Sequence, residues 1–216
     1  VTDPARPLTK DQIAARVAAD IAPGSYVNLG IGLPTLVADH LAPEAAITLH
    51  TENGMLGMGP AARGEEIDLD LINAGKVPVL ELPGASYFHQ ADSFAIMRGG
   101  HIDLCVLGAF EVSVAGDLAN WSTGAPDAVP AVGGAMDLAV GARRAVVMMT
   151  LFARDGSPKL VRACTLPLTG VGCVSRVYSD LAVIDVGVDG AVLVESFGMS
   201  PADLEQRLRV PLGRSG

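Results

Sequence analysis

Short apolar runs recur along the chain: "YVNLGI" (26–31), "AITLHTE" (46–52), "VPVLEL" (77–82), "IDLCVLGA" (102–109), "AVVMMTL" (145–151), "LAVIDV" (181–186) and "AVLVES" (191–196). Each has the length of a strand, and several are apolar on both faces. A strand with two apolar faces must be covered on both, so helices are expected on either side of a largely parallel sheet. The expected fold class is therefore α/β, an open, largely parallel sheet flanked by helices. No linker, repeat or low-complexity tract interrupts the pattern, so residues 1–216 read as a single domain.

The segments between the runs carry helix signals. Thr9 and Gln12 have the spacing of a capping box, and Ile13, Val17 and Ile21 share one helical face. Pro23-Gly24 then reads as a stop. Pro34 opens a short helix, "PTLVADHLA", where its missing N–H is harmless. Further helices are expected at 92–98 and 134–141, and a last one from Ser200, with Pro201 at its first position. "VDG" (188–190) reads as the turn of a hairpin between the last two runs.

Composition excludes several function classes. Half of the 216 residues are hydrophobic and 18% are charged, so a large core is available and disorder is not expected. The formal charge of −9, with no basic run longer than Arg143–Arg144, argues against nucleic acid as a partner. No apolar run reaches membrane-span length, and the amino terminus lacks a signal-peptide pattern. The three cysteines form no CxxC, and Cys105 sits inside an apolar run as a buried thiol would, so a reducing cytoplasm is expected. His40, His50, His89 and His101 show no metal-ligand spacing, and no metal site is expected.

Nucleotide motifs fare poorly. "GIGLPT" (30–35) has two glycines of the dinucleotide fingerprint but Thr35 in place of the third, and "GMGPAA" (57–62) does not follow its strand directly. No phosphate loop and no G-x-S-x-G occurs.

"AITLHTENGMLGMGP" (46–60) is more informative, because an alternating strand runs into Glu52 and then into a glycine-rich loop. Asn53-Gly54 is compatible with a simple hairpin turn, although "MLGMGPAARG" makes a poor returning strand. The other reading is a nucleophile. A free carboxylate, with a pKa of ~4.3, is ionised at neutral pH and needs no base beside it. It suits an activated acyl compound such as a thioester, since attack gives a mixed anhydride and the returning thiolate gives a glutamyl thioester. That chemistry needs close backbone approach, donors for an oxyanion and exclusion of water. Gly133-Gly134, ahead of the expected helix at 134–141, can offer backbone N–H groups. The pattern alone leaves turn and nucleophile open.

"YVNLGIGLPTLVADHL", "TENGMLGMGP", "DLINAGK", "LPGASYF", "SFAIMRGGHIDLCVLGAFEVS", "GDLANW", "VGGAMDLAVGA" and "CTLPLTGVGCVSRVYSDLAV" together resemble the beta subunit of the class I CoA-transferases of 3-oxo acids. The likeness is colinear from about Leu8 to about Arg207. It implies that Glu52, in Thr-Glu-Asn-Gly where the family usually has Ser-Glu-Asn-Gly, carries acyl and then CoA. Thr51 keeps the hydroxyl of that serine. The resemblance also implies that Gly133, or its neighbour Gly134, gives a backbone donor to the oxyanion. Asn53, Gly54, Gly30, Gly32 and Gly134 are the expected substrate- and CoA-binding positions. Only the beta half is matched, so activity is expected to need an alpha subunit. No cofactor is implied, because the CoA thioester is a substrate.

"NWSTGAPDAVPAVGGAMDLAVGARRAVVMMTLFARDG" and "VESFG" look more like the enzymes that take 3-oxoadipate, with succinyl-CoA as donor, than those that take acetoacetate. The same chemistry on acetoacetate or a short fatty acid is the alternative, and a non-catalytic ligand-sensing domain is a second. Arg98, Arg143 and Arg144 are candidates for reading a distal carboxylate, since guanidinium binds carboxylate bidentately. His50 shares a strand face with Glu52 and is expected to be structural. Tyr87 and Trp121 can wall a pocket or simply pack.

Overall fold

The computed structural model describes residues 6–124 and 132–214. In chain order the helices and strands are α1 (Lys10–Ala19), β1 (Tyr26–Leu29), β2 (Thr48–Thr51), β3 (Met55–Ala61), β4 (Val79–Tyr87), α2 (Gln90–Arg98) and β5 (Leu104–Leu107). Then come β6 (Glu111–Ser113), β7 (Leu118–Ala119), α3 (Ala135–Gly141), β8 (Ala145–Met148) and β9 (Leu160–Val161). β10 (Val174–Tyr178), β11 (Ala182–Asp185), β12 (Ala191–Ser196), α4 (Pro201–Leu208) and β13 (Leu212–Arg214) complete the chain.

A ten-stranded sheet runs in the order β13-β12-β11-β10-β8-β5-β1-β2-β3-β4. Its centre, from β10 to β2, is parallel throughout; β11 and β12 extend one side and β3 and β4 the other by antiparallel pairing, and β13 closes the first edge parallel to β12. The parallel centre explains the runs that are apolar on both faces. Val106, Val146 and Met148 face α1 through Ile13 and Val17. Cys105, Leu107 and Val147, one residue out of phase, face Met97 of α2 and Leu138 of α3. Two cores thus sit on opposite faces of one sheet. β6, β7 and β9 form a separate three-stranded sheet that the sequence pattern does not announce.

Local signals resolve as physics requires, with a few differences. Thr9 and Gln12 make both bonds of the capping box, but α1 ends at Ala19, before the Pro23-Gly24 stop. The short helix expected to open at Pro34 is a 3-10 helix, Leu33–His40. Ser200 caps α4 by accepting from the Asp203 N–H, with Pro201 in the first turn. β10 is a strand without a clear apolar run, because Ser175 and Arg176 interrupt the pattern; Arg176 is neutralised there by Asp185 and Asp20.

The largest difference concerns residues 55–61. Their glycines and Pro60 argue against a returning strand, yet they form β3, paired antiparallel to β2 through His50 with Leu56 and Thr51 with Met55. Glycine here serves close approach rather than disorder. Gly57 has φ of 83° and lies against Ala85 of β4, where a Cβ would sit 3.0 Å from the Ala85 Cα.

Candidate active site

Glu52 lies in the three-residue turn between β2 and β3, so it is both a hairpin residue and a cleft residue. Gly54 makes the turn possible: its φ is 112°, its N–H donates to the Thr51 carbonyl at 3.1 Å, and its carbonyl accepts from Phe88 N–H at 3.0 Å. A Cβ on Gly54 would collide with the Phe88 carbonyl. Asn53 turns away from the cleft and donates through Nδ2 to the Ile72 carbonyl at 2.9 Å. The two residues fix where Glu52 points.

That direction is a cavity of about 260 Å³ at the carboxyl ends of β1, β2 and β5. Ligands of open α/β sheets bind at this end of the strands. Gly30, Gly133 and Gly134 line it together with Glu52. Gly134 opens α3 as its N-cap, and a methyl group there would collide with Glu52 Oε2. The carboxylate is therefore seated against bare backbone at a helix N-terminus. Gly133 has φ of 52°, a conformation that favours glycine. Asn53 and Gly54 shape the turn without lining the cavity. Gly32 lies in a neighbouring open groove with Lys10, Phe152 and Lys159.

His50 is 1% exposed. Asn28 Nδ2 lies 3.0 Å from its Nδ1 and 3.1 Å from its carbonyl oxygen, and Ser93 Oγ lies 2.9 Å from its Nε2. Burial pushes its imidazole down to about 4, so it is neutral near pH 7. Asn120 donates to the Gly108 carbonyl at 3.1 Å and accepts from Thr169 Oγ1 at 2.6 Å.

The three candidate arginines are elsewhere. Arg98 pairs with Asp137 at 2.6 Å, Arg143 with Asp103 at 2.9 Å, and Arg144 donates to Ser175 Oγ at 3.2 Å. Tyr87 bonds Glu81, and Trp121 donates to the Leu168 carbonyl at 3.2 Å; neither lines the cavity. Sequence reasoning misses Asn28, Asn73 and Asn120 as lining residues. Their signal is an uncharged asparagine at a strand end or tight loop, which is common at turns that bind nothing.

This geometry defines an α/β domain that presents a carboxylate, at the end of a parallel strand, to a cleft bordered by a glycine-led helix. The chain belongs to the coenzyme A transferase family, whose model matches residues 10–196. It is 57% identical over 206 residues to the B subunit of 3-oxoadipate CoA-transferase from Pseudomonas putida, covering 95% of this chain and 96% of that protein. It is 54% identical to the protein of the same name in Acinetobacter baylyi, over 92% of each. Among solved structures, an acyl-CoA transferase of Escherichia coli O157:H7 in thioester complex with CoA matches with a TM-score of 0.72 at 19% identity. That match covers 100% of this chain and 43% of the other, so this chain spans less than half of that structure.

Proposed function

We propose that this chain is the nucleophile-bearing beta subunit of a transferase that moves CoA from succinyl-CoA to 3-oxoadipate, working with an alpha subunit. The observation that carries the reading is the carboxylate of Glu52, held in the cavity against Gly134. The choice of 3-oxoadipate rests on the relatives at 57% and 54% identity, which carry that name.

The chemistry balances without a further reagent. A Glu52 oxygen attacks the thioester carbonyl of succinyl-CoA, the C–S bond breaks, and CoA leaves as thiolate from a succinyl–glutamyl anhydride. The thiolate attacks the Glu52 carbonyl, the anhydride C–O bond breaks, and succinate departs from a glutamyl-CoA thioester. The carboxylate of 3-oxoadipate repeats the sequence in reverse and leaves as its CoA thioester, restoring Glu52. Each tetrahedral intermediate carries an oxyanion; Gly133 and Gly134 line the cavity, and we assign its stabilisation to their backbone N–H groups. Neutral Asn28, His50 and Asn120 keep the walls polar without offering a competing nucleophile.

CoA enters as a substrate, and no resident cofactor takes part in this scheme. The free cysteines fit a reducing cytoplasm, and among the described residues no helix is long and apolar enough to cross a membrane. The test is exchange with one substrate pair. The alpha–beta complex, given succinyl-CoA and labelled succinate without a 3-oxo acid, should form labelled succinyl-CoA. Absence of exchange in a complex that completes the full transfer would contradict the covalent route.

A further inference from the structure

The cavity raises a question that Glu52 does not answer. Succinyl and 3-oxoadipyl groups both carry a second carboxylate, yet no lysine or arginine lines the cavity among the described residues. Within this chain, the second carboxylate must be met there by a neutral donor.

The side-chain donors at the cavity can be taken in turn. Asn28 Nδ2 gives both of its N–H groups to His50, Asn120 Nδ2 gives one of its two to the Gly108 carbonyl, and Thr35 Oγ1 donates to the Gly32 carbonyl at 2.7 Å. Both ring nitrogens of His50 are engaged. Thr51 Oγ1 has no partner among the described residues but is sealed from the cavity, being fully buried.

Asn73 remains. It is 8% exposed, and its Oδ1 accepts from Gly75 N–H at 2.9 Å and Val77 N–H at 3.1 Å. Two N–H donors on one amide oxygen fix which end of the amide is which. Nδ2 therefore points the other way. It has no partner among the described residues, and it is not sealed as Thr51 Oγ1 is. The space bordering Asn73 is the Glu52 cavity. The loop that carries it is closed by Asn73 N–H to the Val77 carbonyl at 2.9 Å and tied to the Glu52 turn by Asn53. The bonded loop thus leaves the N–H₂ end of Asn73 uncommitted, on a residue that lines the same cavity as Glu52.

We infer that Asn73 Nδ2 donates to the distal carboxylate of the acyl group and so selects dicarboxylic acyl thioesters. This rests on the proposed function and assigns a specificity contact within it.

Asn73→Asp isolates the donor. Aspartate keeps the oxygen that holds Gly75 and Val77, so the loop survives, but it places a second anionic oxygen where Nδ2 stood. In the alpha–beta complex, kcat/KM for succinyl-CoA should fall roughly 10- to 100-fold, the scale of a lost hydrogen bond to a charged group. The value for butyryl-CoA, which has a methyl group in place of that carboxylate, should change less than about 3-fold, because the contact it lacks cannot be lost. An unchanged melting temperature would show that the loop is intact. Equal losses for both thioesters, or none for either, would overturn the assignment alone. A wild-type complex with no preference for succinyl-CoA over butyryl-CoA would overturn the functional reading as well.

Discussion

Ser93 Oγ lies 2.9 Å from His50 Nε2 and 3.1 Å from the Thr51 carbonyl oxygen, so one hydroxyl of α2 holds the strand that ends at Glu52. The proton positions follow from the partners. The His50 carbonyl can only accept, so the Asn28 group facing it is Nδ2; that group then donates to Nδ1, and Nε2 carries the ring proton. Ser93 accepts from Nε2 and donates to Thr51. Nitrogen NMR should find His50 as the Nε2–H tautomer at pH 7, and an Nδ1–H tautomer would contradict the chain. Ser93→Ala should lower kcat about 10-fold with KM for succinyl-CoA little changed, since misplacing a nucleophile affects the reacting geometry before binding. Equal effects on both would point to general loss of structure.

The same burial gives a pH dependence. The folded-state pKa of His50 is lowered to about 4 from 6.5. As pH falls below 6.5, the unfolded chain binds a proton that the folded chain does not, and stability drops until the folded state protonates near 4. Above about 6.5 the residue contributes no slope. His50→Gln should flatten denaturant-measured stability between pH 6.5 and 4, and an unchanged slope would place its origin in other groups.

Gly134→Ala probes the space beside the Glu52 carboxylate. Gly134 has φ of −80° and ψ of 2°, which alanine tolerates, so backbone strain plays no part. The new methyl group can be accommodated only by displacing the Glu52 carboxylate. A displacement of about 1 Å can cost ~100-fold in rate, and single-turnover formation of the acyl-enzyme should slow by that order. A rate within about 3-fold of wild type would mean that Glu52 does not react from this seat.

Thr51 Oγ1 is buried without a partner among the described residues, and an unsatisfied buried polar group costs ~1–3 kcal/mol. Thr51→Val removes the hydroxyl and keeps the shape. The melting temperature should rise by a few degrees, since ~1 kcal/mol is worth about 2–4 °C in a protein of this size. A fall would show that the hydroxyl has a partner in the working complex.

The parallel centre of the sheet and the caps of α1 and α4 are legible in the sequence because they depend on local pattern: paired apolar faces in Val106 and Leu107, and hydroxyls at Thr9 and Ser200. β3 is not, because Gly57 and Gly59 violate strand propensity for a reason that lies across the sheet, the close approach of Ala85 and Leu80. Glu52 stands out as a charge at a strand end, and the Gly133–Gly134 pair as a helix start. The roles of Asn28 and Asn73 depend on which amide atom is already bonded, which requires the three-dimensional network. The arginines illustrate the converse, since Arg98, Arg143 and Arg144 have the right chemistry but spend it on Asp137, Asp103 and Ser175.

The most direct test is to mix the reconstituted alpha–beta complex with succinyl-CoA, trap with borohydride, and map the modified peptide by mass. Reduction of a glutamyl thioester at Glu52 should convert that side chain to the alcohol in a succinyl-CoA-dependent way. A modified residue at any other position, or no modification in a complex that turns over, would contradict the account.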